Sequence, residues 1–332
     1  MSKFKKIMIG ILCVLILIPL IVVGYAYMKL NSIHEDTNYK SKVEEVGGIT
    51  NILLTGIDAR PGETASRTDS MMILTIDNKN KSVKLTSLAR DTYVQLPGKH
   101  KSKLNTAYFW GKEPMLFETI ENEFGIDIDK IVQVDFNALM SIIDILGGVE
   151  VNITDSSFAV INSHARDCYN MYNSTTKEEF KEVPGPGKQL LNGYQALGFS
   201  RIRKIDTAIA RDERQQEVLM AIADKVKELP ASKYPKLLNS VLPYIKTNIQ
   251  SSEILKLGVT ALNIINSSDD IKKAEFPIID DVHVKGGIYK KAGWVWLYDV
   301  NSTVVLQDFI YKDINMEDNP YLKDYSKIQL NY

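Results

Sequence analysis

The chain has 332 residues, and its hydrophobic content of 45% and charged content of 24% are typical of a globular protein. This length allows one large domain or two small ones, and the composition excludes a largely disordered chain. The formal net charge of −1 argues against a general nucleic-acid-binding protein, which would carry a clear basic excess.

The N-terminus combines a basic segment with a long apolar run. Three lysines within the first six residues precede an uncharged stretch from Ile7 to Met28. About 20 apolar residues span a bilayer as a helix, so the stretch predicts a transmembrane anchor over residues 7–28. The positive-inside rule then places residues 1–6 in the cytoplasm and the rest of this single-pass membrane protein outside the cell. A cleaved signal peptide is disfavoured, because its apolar region is usually about 7–15 residues long and ends in an A-x-A-like site.

Residues 29–48 are polar and predict a stalk, after which short apolar runs alternate with amphipathic segments. Runs such as NILLTGID, SMMILTID, VKLTSLAR and KIVQVDF predict strands, whereas FNALMSIIDIL, NGYQALGFS and RDERQQEVLMAIADKVKEL predict helices. Weakly periodic residues 155–186 are interpreted as a lid-like loop. The alternation predicts an α/β fold, a three-layer sandwich with a central mixed β-sheet flanked by helices. We assign it to residues 49–315, with a C-terminal tail over residues 316–332.

The exported part contains a single cysteine, Cys168, since Cys13 lies in the predicted anchor. It therefore forms no internal disulfide and depends on a large core for stability. We expect Cys168 to be a small core residue rather than a nucleophile.

Arginine is rare in this sequence and is concentrated in two windows. Of 40 basic residues only eight are arginines, and seven of these occupy the two windows, with Arg166 apart. A guanidinium grips phosphate oxygens in pairs, whereas an ammonium is a compact point charge. The windows therefore indicate a phosphate-binding site, although surface ion pairs with Asp206, Asp212 and Glu213 are the alternative for one window alone. The seven arginines are Arg60, Arg67, Arg90, Arg201, Arg203, Arg211 and Arg214.

Two carboxylates accompany the first window. Asp58 follows the first predicted strand, and Asp69 begins the next one. If these strands are neighbours, both carboxylates can converge on one hard cation such as Mg²⁺, which prefers oxygen ligands. Zinc is disfavoured because the four histidines have no ligand spacing. The sequence therefore predicts a metal–phosphate site.

Further site residues follow from strand ends and helix faces. Arg90 and Asp91 end a predicted strand, and Arg201 and Arg203 would share a face if extended. Arg211 and Gln215 are four residues apart on one helix face, with Arg211 in the first turn, where free N–H groups favour anions.

Several of these segments in order resemble the LytR-CpsA-Psr family of Gram-positive cell envelopes. The resemblance rests on NILLTGIDAR, RTDSMMILTID, VKLTSLARDTYVQLPG, KLNTAY, VDFNALMSIIDILGGVEVNI and LNGYQALGFSRIRK…ARDERQQEV, from about Asn51 to about Ala221. It implies a phosphotransferase that moves a glycopolymer, such as teichoic acid or capsule, from a polyprenyl-pyrophosphate carrier to a peptidoglycan sugar hydroxyl. It also implies an apolar tunnel for the polyprenyl tail between sheet and helices.

The resemblance further assigns roles to individual residues. Asp58 and Asp69 would hold Mg²⁺, with Mn²⁺ as the alternative ion. The implied pyrophosphate ligands are Arg60, Arg67, Arg90, Arg201, Arg203, Arg211 and Gln215. Arg67, Arg90 and Asp91 are the candidate catalytic residues, with Asp91 as the candidate base. The expected partners are the lipid-linked glycopolymer, peptidoglycan and the membrane, and no nucleic acid.

One position departs from the family pattern. The family usually has an aspartate three residues before the arginine that corresponds to Arg211, but here that residue is Ala208. Asp206 is a possible substitute if the backbone is extended. A non-catalytic module that binds polyprenyl pyrophosphate is therefore the alternative function. A transcriptional regulator is disfavoured by the predicted anchor and the near-neutral charge.

Overall fold

The computed structural model describes residues 27–57, 68–172, 179–202, 208–228, 230, 233–267 and 271–332. Most of the predicted anchor lies outside these ranges, as do Asp58, Arg60, Arg67, Arg203 and Asp206. For Asp69 and Ala208 the backbone alone is described. Within the described ranges, no helix is long and apolar enough to span a membrane.

The centre of the fold is a six-stranded mixed sheet in the order β10-β3-β2-β1-β6-β9. Strands β1, β3, β6 and β10 run in one direction, because β1 pairs in parallel with β6 and β3 in parallel with β10. Strands β2 and β9 run in the opposite direction. The bounds are β1 Ile49–Ile57, β2 Thr68–Asp77, β3 Ser82–Leu88, β6 Lys130–Asp135, β9 Ile245–Thr247 and β10 Lys272–Phe276.

Three two-stranded sheets surround this centre. They pair β4 with β5, β7 with β8, and β11 with β12. Their bounds are β4 Tyr93–Gln95, β5 Lys101–Lys103, β7 Val149–Ile153, β8 Gly187–Leu191, β11 Val284–Tyr289 and β12 Gly293–Tyr298.

Helices cover both faces of the sheet, which confirms the predicted mixed α/β architecture. Leu53 packs with α1 and α8 on one face, whereas its neighbour Ile52 packs towards α5 and α7 on the other, as strand alternation requires. Helices α2, α3 and α4 enclose a further core with α5 and β7. The bounds are α1 Asn105–Phe124, α2 Phe136–Leu146, α3 Asp155–Tyr172, α4 Gly193–Ser200, α5 Ala208–Lys227, α6 Tyr234–Val241, α7 Ser251–Ser267 and α8 Thr303–Lys312.

The prediction of a lid-like loop over residues 155–186 is wrong for its first half, which forms α3. Ile161, Ala165 and Cys168 lie on one face of this helix and are buried. Their spacing of four and three residues is helical, but the polar residues between them mask the pattern. Cys168 is a buried core residue, as predicted.

Strand β3 is buried on both faces rather than on one. All seven of its residues are buried, including Lys84, whose Nζ atom lies 2.8 Å from the Asp77 carboxylate. Two charges removed from water are tolerated only when paired in this way. Because β3 is buried within the sheet, it also fixes the positions of Arg90 and Asp91, which follow it in the chain.

The segment predicted as a stalk packs onto the globular body. Leu30 and Ile33 are buried against Leu242. Further along, the Tyr39 hydroxyl donates a 2.7 Å hydrogen bond to Glu121 of α1. These contacts fix the position at which the N-terminal segment leaves the body.

Candidate active site

One edge of the central sheet collects the strand ends that carry the predicted site residues. The carboxyl ends of β1, β3, β6 and β10 lie at this edge, and antiparallel β2 begins there. Ile57, the last residue of β1, pairs with Thr68 on one side and with Asp135 on the other. Functional groups of open α/β sheets commonly lie at such an edge.

The backbone places one of the two predicted metal ligands, Asp69, at this edge. Gly56 pairs with Ser70 and Ile57 with Thr68, so Asp69 occupies the irregularity between the two pairs. Asp58 directly follows Ile57 in the chain. Asp58 itself lies outside the described residues, so the predicted convergence of the two carboxylates stays a prediction.

Two carboxylates on adjacent strands are a donor set that suits Mg²⁺, which favours one or two carboxylates with phosphate and water. Among the side chains that the structure describes, no group of three His, Cys, Asp or Glu residues could hold a metal ion. The side chains of Asp58 and Asp69 are outside that set, so their role as ligands stays a prediction.

An open cavity lies beneath this edge, between the sheet and helices α2 and α5. Its empty volume, including the open mouth, is about 1010 Å³. The deeper wall is apolar and is contributed by β1, β2, α2 and α5 through Leu54, Met72, Leu139, Ile142, Val218, Leu219 and Ile222. The predominantly apolar lining suits an apolar ligand.

The mouth of the cavity is polar and cationic. Arg201, Arg211 and Gln215 line it together with Ser70 and Asp135. Gly56 and Ser70 at the strand ends, and Arg211 in the first turn of α5, fix the polar end of the cavity at the sheet edge where β1 ends and β2 begins. The cavity therefore has an anion-binding end and an apolar end.

Local sequence positions the groups at the mouth. Asn192 caps α4 with a complete capping box, and Arg201 directly follows this helix. The guanidinium of Arg201 lies over the Phe136 ring, 4.7 Å from its centroid. Asp135 caps α2 by accepting a 2.8 Å hydrogen bond from the Ala138 N–H.

Arg211 forms a buried ion pair with its neighbour Asp212. Its Nε and Nη2 atoms lie 3.1 and 2.9 Å from Asp212 Oδ1, and both side chains are about 7% exposed. The alternative of a surface ion pair is therefore wrong for this arginine. Burial raises the pKa of the Asp212 carboxyl, and the Arg211 guanidinium opposes that rise. A carboxylate so placed holds the arginine fork in a fixed orientation.

The first arginine window reaches the same region through Arg90. Its Nε atom donates to Asp91 at 3.3 Å, and Lys103 donates to the other oxygen of Asp91 at 2.8 Å. Arg90 is also near enough to lower the pKa of Asp212, against the larger effect of burial. Arg90 and Arg211 therefore both interact electrostatically with the Asp212 carboxyl.

Glu275 is a buried carboxyl beside this cluster. It pairs with Ser87 in the β10–β3 ladder, and Gln216 of α5 donates to Ser87 Oγ at 2.8 Å and to the Ala274 carbonyl at 3.1 Å. Burial raises the pKa of Glu275 to about 8, with a further rise from Asp212. Its Oε1 atom is buried without a hydrogen-bond partner in the described part of the chain.

Glu275→Gln should stabilise the protein increasingly as pH rises above about 4.5. The folded state holds the Glu275 proton up to about pH 8, whereas the ordinary pKa is 4.5. The free energy of unfolding of the natural protein therefore falls as pH rises between these values. At pH 9 we expect the variant to gain about 5 kcal/mol, and below about pH 4.5 no gain. Thermal unfolding across pH measures this difference.

Glu150→Gln is the matched control, because Glu150 is exposed and its ion pair with Lys188 is solvated. It should shift the unfolding temperature little at any pH. A stability difference for Glu275→Gln that does not change with pH would contradict the assignment of a protonated carboxyl.

The structure brings together Arg90, Asp91, Arg201, Arg211 and Gln215 from the predicted site. Arg201, Arg211 and Gln215 share the cavity mouth, and Arg90 and Asp91 adjoin Asp212. The roles assigned to these residues stay predictions. Arg60, Arg67, Asp58 and Arg203 lie outside the described residues.

Sequence reasoning missed four charged residues of this region: Lys103, Asp135, Asp212 and Glu275. Asp135 had a detectable signal, since an aspartate before an apolar helical run is a typical N-cap. Asp212 was considered only as a surface partner of arginine. Lys103 and Glu275 reach the site through strand pairing between distant segments, for which the sequence contains no local signal.

Comparison with known proteins agrees with the geometry. The LytR_cpsA_psr family model matches residues 20–304. The polyisoprenyl-teichoic acid–peptidoglycan teichoic acid transferase TagU of Bacillus mycoides is 31% identical over 253 residues, covering 75% of this chain and 73% of that protein. The protein has a mixed α/β fold with an arginine-lined cavity, and the chain belongs to the LytR-CpsA-Psr family.

Solved structures show the same fold. A structure of TagT bound to LI-WTA superposes with a TM-score of 0.63 at 23% identity, covering 84% of this chain and 99% of that one. The family protein YwtF (TagT) with bound octaprenyl pyrophosphate lipid gives a TM-score of 0.57 at 23% identity, covering 83% and 99%.

Proposed function

We propose that the protein transfers a glycopolymer from a polyprenyl-pyrophosphate carrier to a sugar hydroxyl of peptidoglycan. The observation that carries this proposal is the two-part cavity, with Arg201 and Arg211 at its mouth and an apolar wall below. A polyprenyl pyrophosphate has the same two parts, an anionic head and a long apolar tail. Relatives named as teichoic acid transferases support the same assignment.

The chemistry is a phosphoryl transfer from a pyrophosphate to a hydroxyl group. The acceptor hydroxyl oxygen bonds to the phosphorus that carries the glycopolymer. The bond from that phosphorus to the bridging oxygen breaks, and polyprenyl phosphate leaves with the electron pair. The hydroxyl proton passes to a base, for which Asp91 is the candidate. The pyrophosphate supplies the activation, so no nucleotide is required.

The arginines position the pyrophosphate and stabilise the charge that develops on the leaving group. Positioning and electrostatic stabilisation are the main contributions of a protein to phosphoryl transfer. The buried Arg211–Asp212 pair presents its guanidinium at the mouth without side-chain reorganisation. Arg90 and Gln215 adjoin it, and the predicted ligands Arg60, Arg67 and Arg203 complete the proposed pyrophosphate site.

Asp58 and Asp69 would hold Mg²⁺, or Mn²⁺, at the end of β1 and the start of β2. When bound there, the ion would neutralise charge on the pyrophosphate oxygens. This proposal is supported by the register of the sheet, which brings the end of β1 and the start of β2 together beside the cationic mouth of the cavity.

The proposed location is the cell membrane, with the globular domain outside the cell. It rests on the apolar stretch from Ile7 to Met28 and on the lysines that precede it. In this arrangement the domain lies next to the bilayer that contains the lipid carrier. The cavity can then receive a polyprenyl tail directly from the membrane.

The second candidate function is a non-catalytic module that binds polyprenyl pyrophosphate. It is favoured by Ala208, the first residue of α5, which replaces the usual aspartate of the family. The two functions share the cavity and differ only in turnover.

The deciding experiment compares the natural chain with Ala208→Asp in a transfer assay. We expect the natural full-length protein to move labelled glycopolymer from its lipid pyrophosphate to peptidoglycan, to stop on chelation, and to resume with Mg²⁺. We expect Ala208→Asp to change this rate by less than about tenfold, because Asp91 and Asp212 already supply carboxylates. An inactive natural protein that Ala208→Asp activates would establish the binding module instead.

A further inference from the structure

The hairpin formed by β11 and β12 carries two neighbouring tryptophans at the molecular surface. Trp294 is 40% exposed, and its ring centroid lies 4.6 Å from that of Trp296, with the two planes at 77°. Ile288, directly opposite Trp294 in the ladder, is 82% exposed. We call Ile288, Trp294 and Trp296 the tryptophan surface. Contiguous exposed apolar side chains of this kind mark binding sites.

A glycine keeps this surface shallow and open. Gly286 lies directly opposite Trp296. A Cβ atom at this position would meet Trp294 Cζ2 at 2.8 Å and Trp296 Cζ3 at 2.9 Å. Any larger residue would therefore displace both rings. The next residue, Gly287, faces open space.

The tryptophan surface is joined directly to the candidate active site. The Trp296 N–H donates a 3.0 Å hydrogen bond to the Asp91 carbonyl, and Thr92 forms a parallel bridge with Trp296. The Asp91 carboxylate contacts Arg90 and Lys103. Trp296 also packs against the core that contains Phe276, so the hairpin is held firmly beside this aspartate.

The surface lies apart from the apolar wall assigned to the lipid. That wall is formed by the α2 and α5 side of the sheet, through residues such as Leu54 and Met72. Trp296 instead packs with the core on the α1 and α8 side. The cavity wall is therefore assigned to the lipid tail, and the tryptophan surface is free to contact a different reactant.

We propose that the tryptophan surface binds a pyranose ring of the acceptor glycan and brings its hydroxyl towards Asp91. This inference rests on the proposed function and names the acceptor site of the same reaction. Indole faces pack against the C–H face of a sugar ring and leave the hydroxyls at the rim free. The hydroxyl that must reach a base belongs to the acceptor, and the surface adjoins the candidate base. The class of ligand is a β-linked N-acetylhexosamine chain.

The test measures binding of chitotetraose to the full-length protein in detergent, by calorimetry and by tryptophan fluorescence. We expect Trp294→Ala to weaken this binding by about tenfold or more, as loss of a central aromatic contact does. Trp294→Phe should recover part of the affinity. Val259→Ala, a control on α7 where Val259 is 59% exposed, should bind nearly as the natural protein does. In the transfer assay, Trp294→Ala should raise KM for the acceptor with kcat nearly unchanged.

Octaprenyl pyrophosphate binding, measured on the same samples, separates this inference from the proposed function. If the lipid binds but chitotetraose does not, the acceptor site is wrong and the lipid site stands. If neither binds, the proposed function fails as well. Equal weakening by Trp294→Ala and Val259→Ala would overturn the tryptophan assignment. Weaker binding of the lipid-linked glycopolymer alone would assign the surface to the donor and overturn the acceptor proposal.

Discussion

Replacement of Arg211 by lysine should reduce glycopolymer transfer by about 10²-fold or more while the fold is retained. Lysine keeps the positive charge that the buried Asp212 carboxylate requires, so the variant avoids a buried unpaired charge. It loses the planar fork that grips two phosphate oxygens at once. The substitution therefore tests the guanidinium geometry of Arg211 while the positive charge is kept. Transfer of labelled glycopolymer by the full-length chain measures the rate, and thermal unfolding checks the fold.

Arg166→Lys is the matched control for this prediction. Arg166 lies outside both arginine windows and forms an exposed ion pair with Glu182 at 3.4 Å. Lysine can replace it in such a pair, so the transfer rate should stay within about twofold of the natural protein. Equal rates for Arg211→Lys and the natural protein would mean that Arg211 does not grip the pyrophosphate.

Replacement of Ile222 by tryptophan should block the apolar part of the cavity. Ile222 of α5 contributes to the wall between the sheet and α2, and a larger ring at this position would occupy space assigned to the lipid tail. We expect octaprenyl pyrophosphate to bind at least about tenfold more weakly, because apolar burial supplies much of lipid affinity. Inorganic pyrophosphate, which has no tail, should bind as before. Calorimetric titration of both ligands measures the contrast.

The control variant is Leu262→Trp, which makes a similar change outside the cavity. Leu262 lies on α7 and is 48% exposed, so an added ring there meets solvent rather than lipid. If Ile222→Trp and the control bound octaprenyl pyrophosphate equally well, the tail would lie somewhere other than the cavity.

The sequence predicted helices best where their ends have local signals. Asp135 and Gly147 mark the ends of α2, and Asn192 with Gln195 forms the capping box of α4. Each of these signals acts within a few residues, which is why the sequence contains it. Helix α3 was missed because most of its surface is polar and its buried stripe is narrow.

The candidate site was predicted in its residue types but not in its environment. Preference for arginine over lysine identified Arg90, Arg201 and Arg211, since guanidinium geometry is a property of the residue itself. The burial of Asp212 and the raised pKa of Glu275 depend on α5 packing against β3 and β10. The tryptophan surface depends on a backbone contact between Asp91 and Trp296, 205 positions apart in the chain. Such long-range contacts are set by the tertiary fold.

The most direct measurement is a crystal structure of the full-length protein with polyprenyl pyrophosphate and Mg²⁺. We expect the pyrophosphate at the cavity mouth, within hydrogen-bonding distance of Arg90, Arg201 and Arg211. The tail should lie along Leu139, Val218 and the rest of the apolar wall. Pyrophosphate bound at another surface, with these three guanidiniums pointing away from it, would contradict the proposed site.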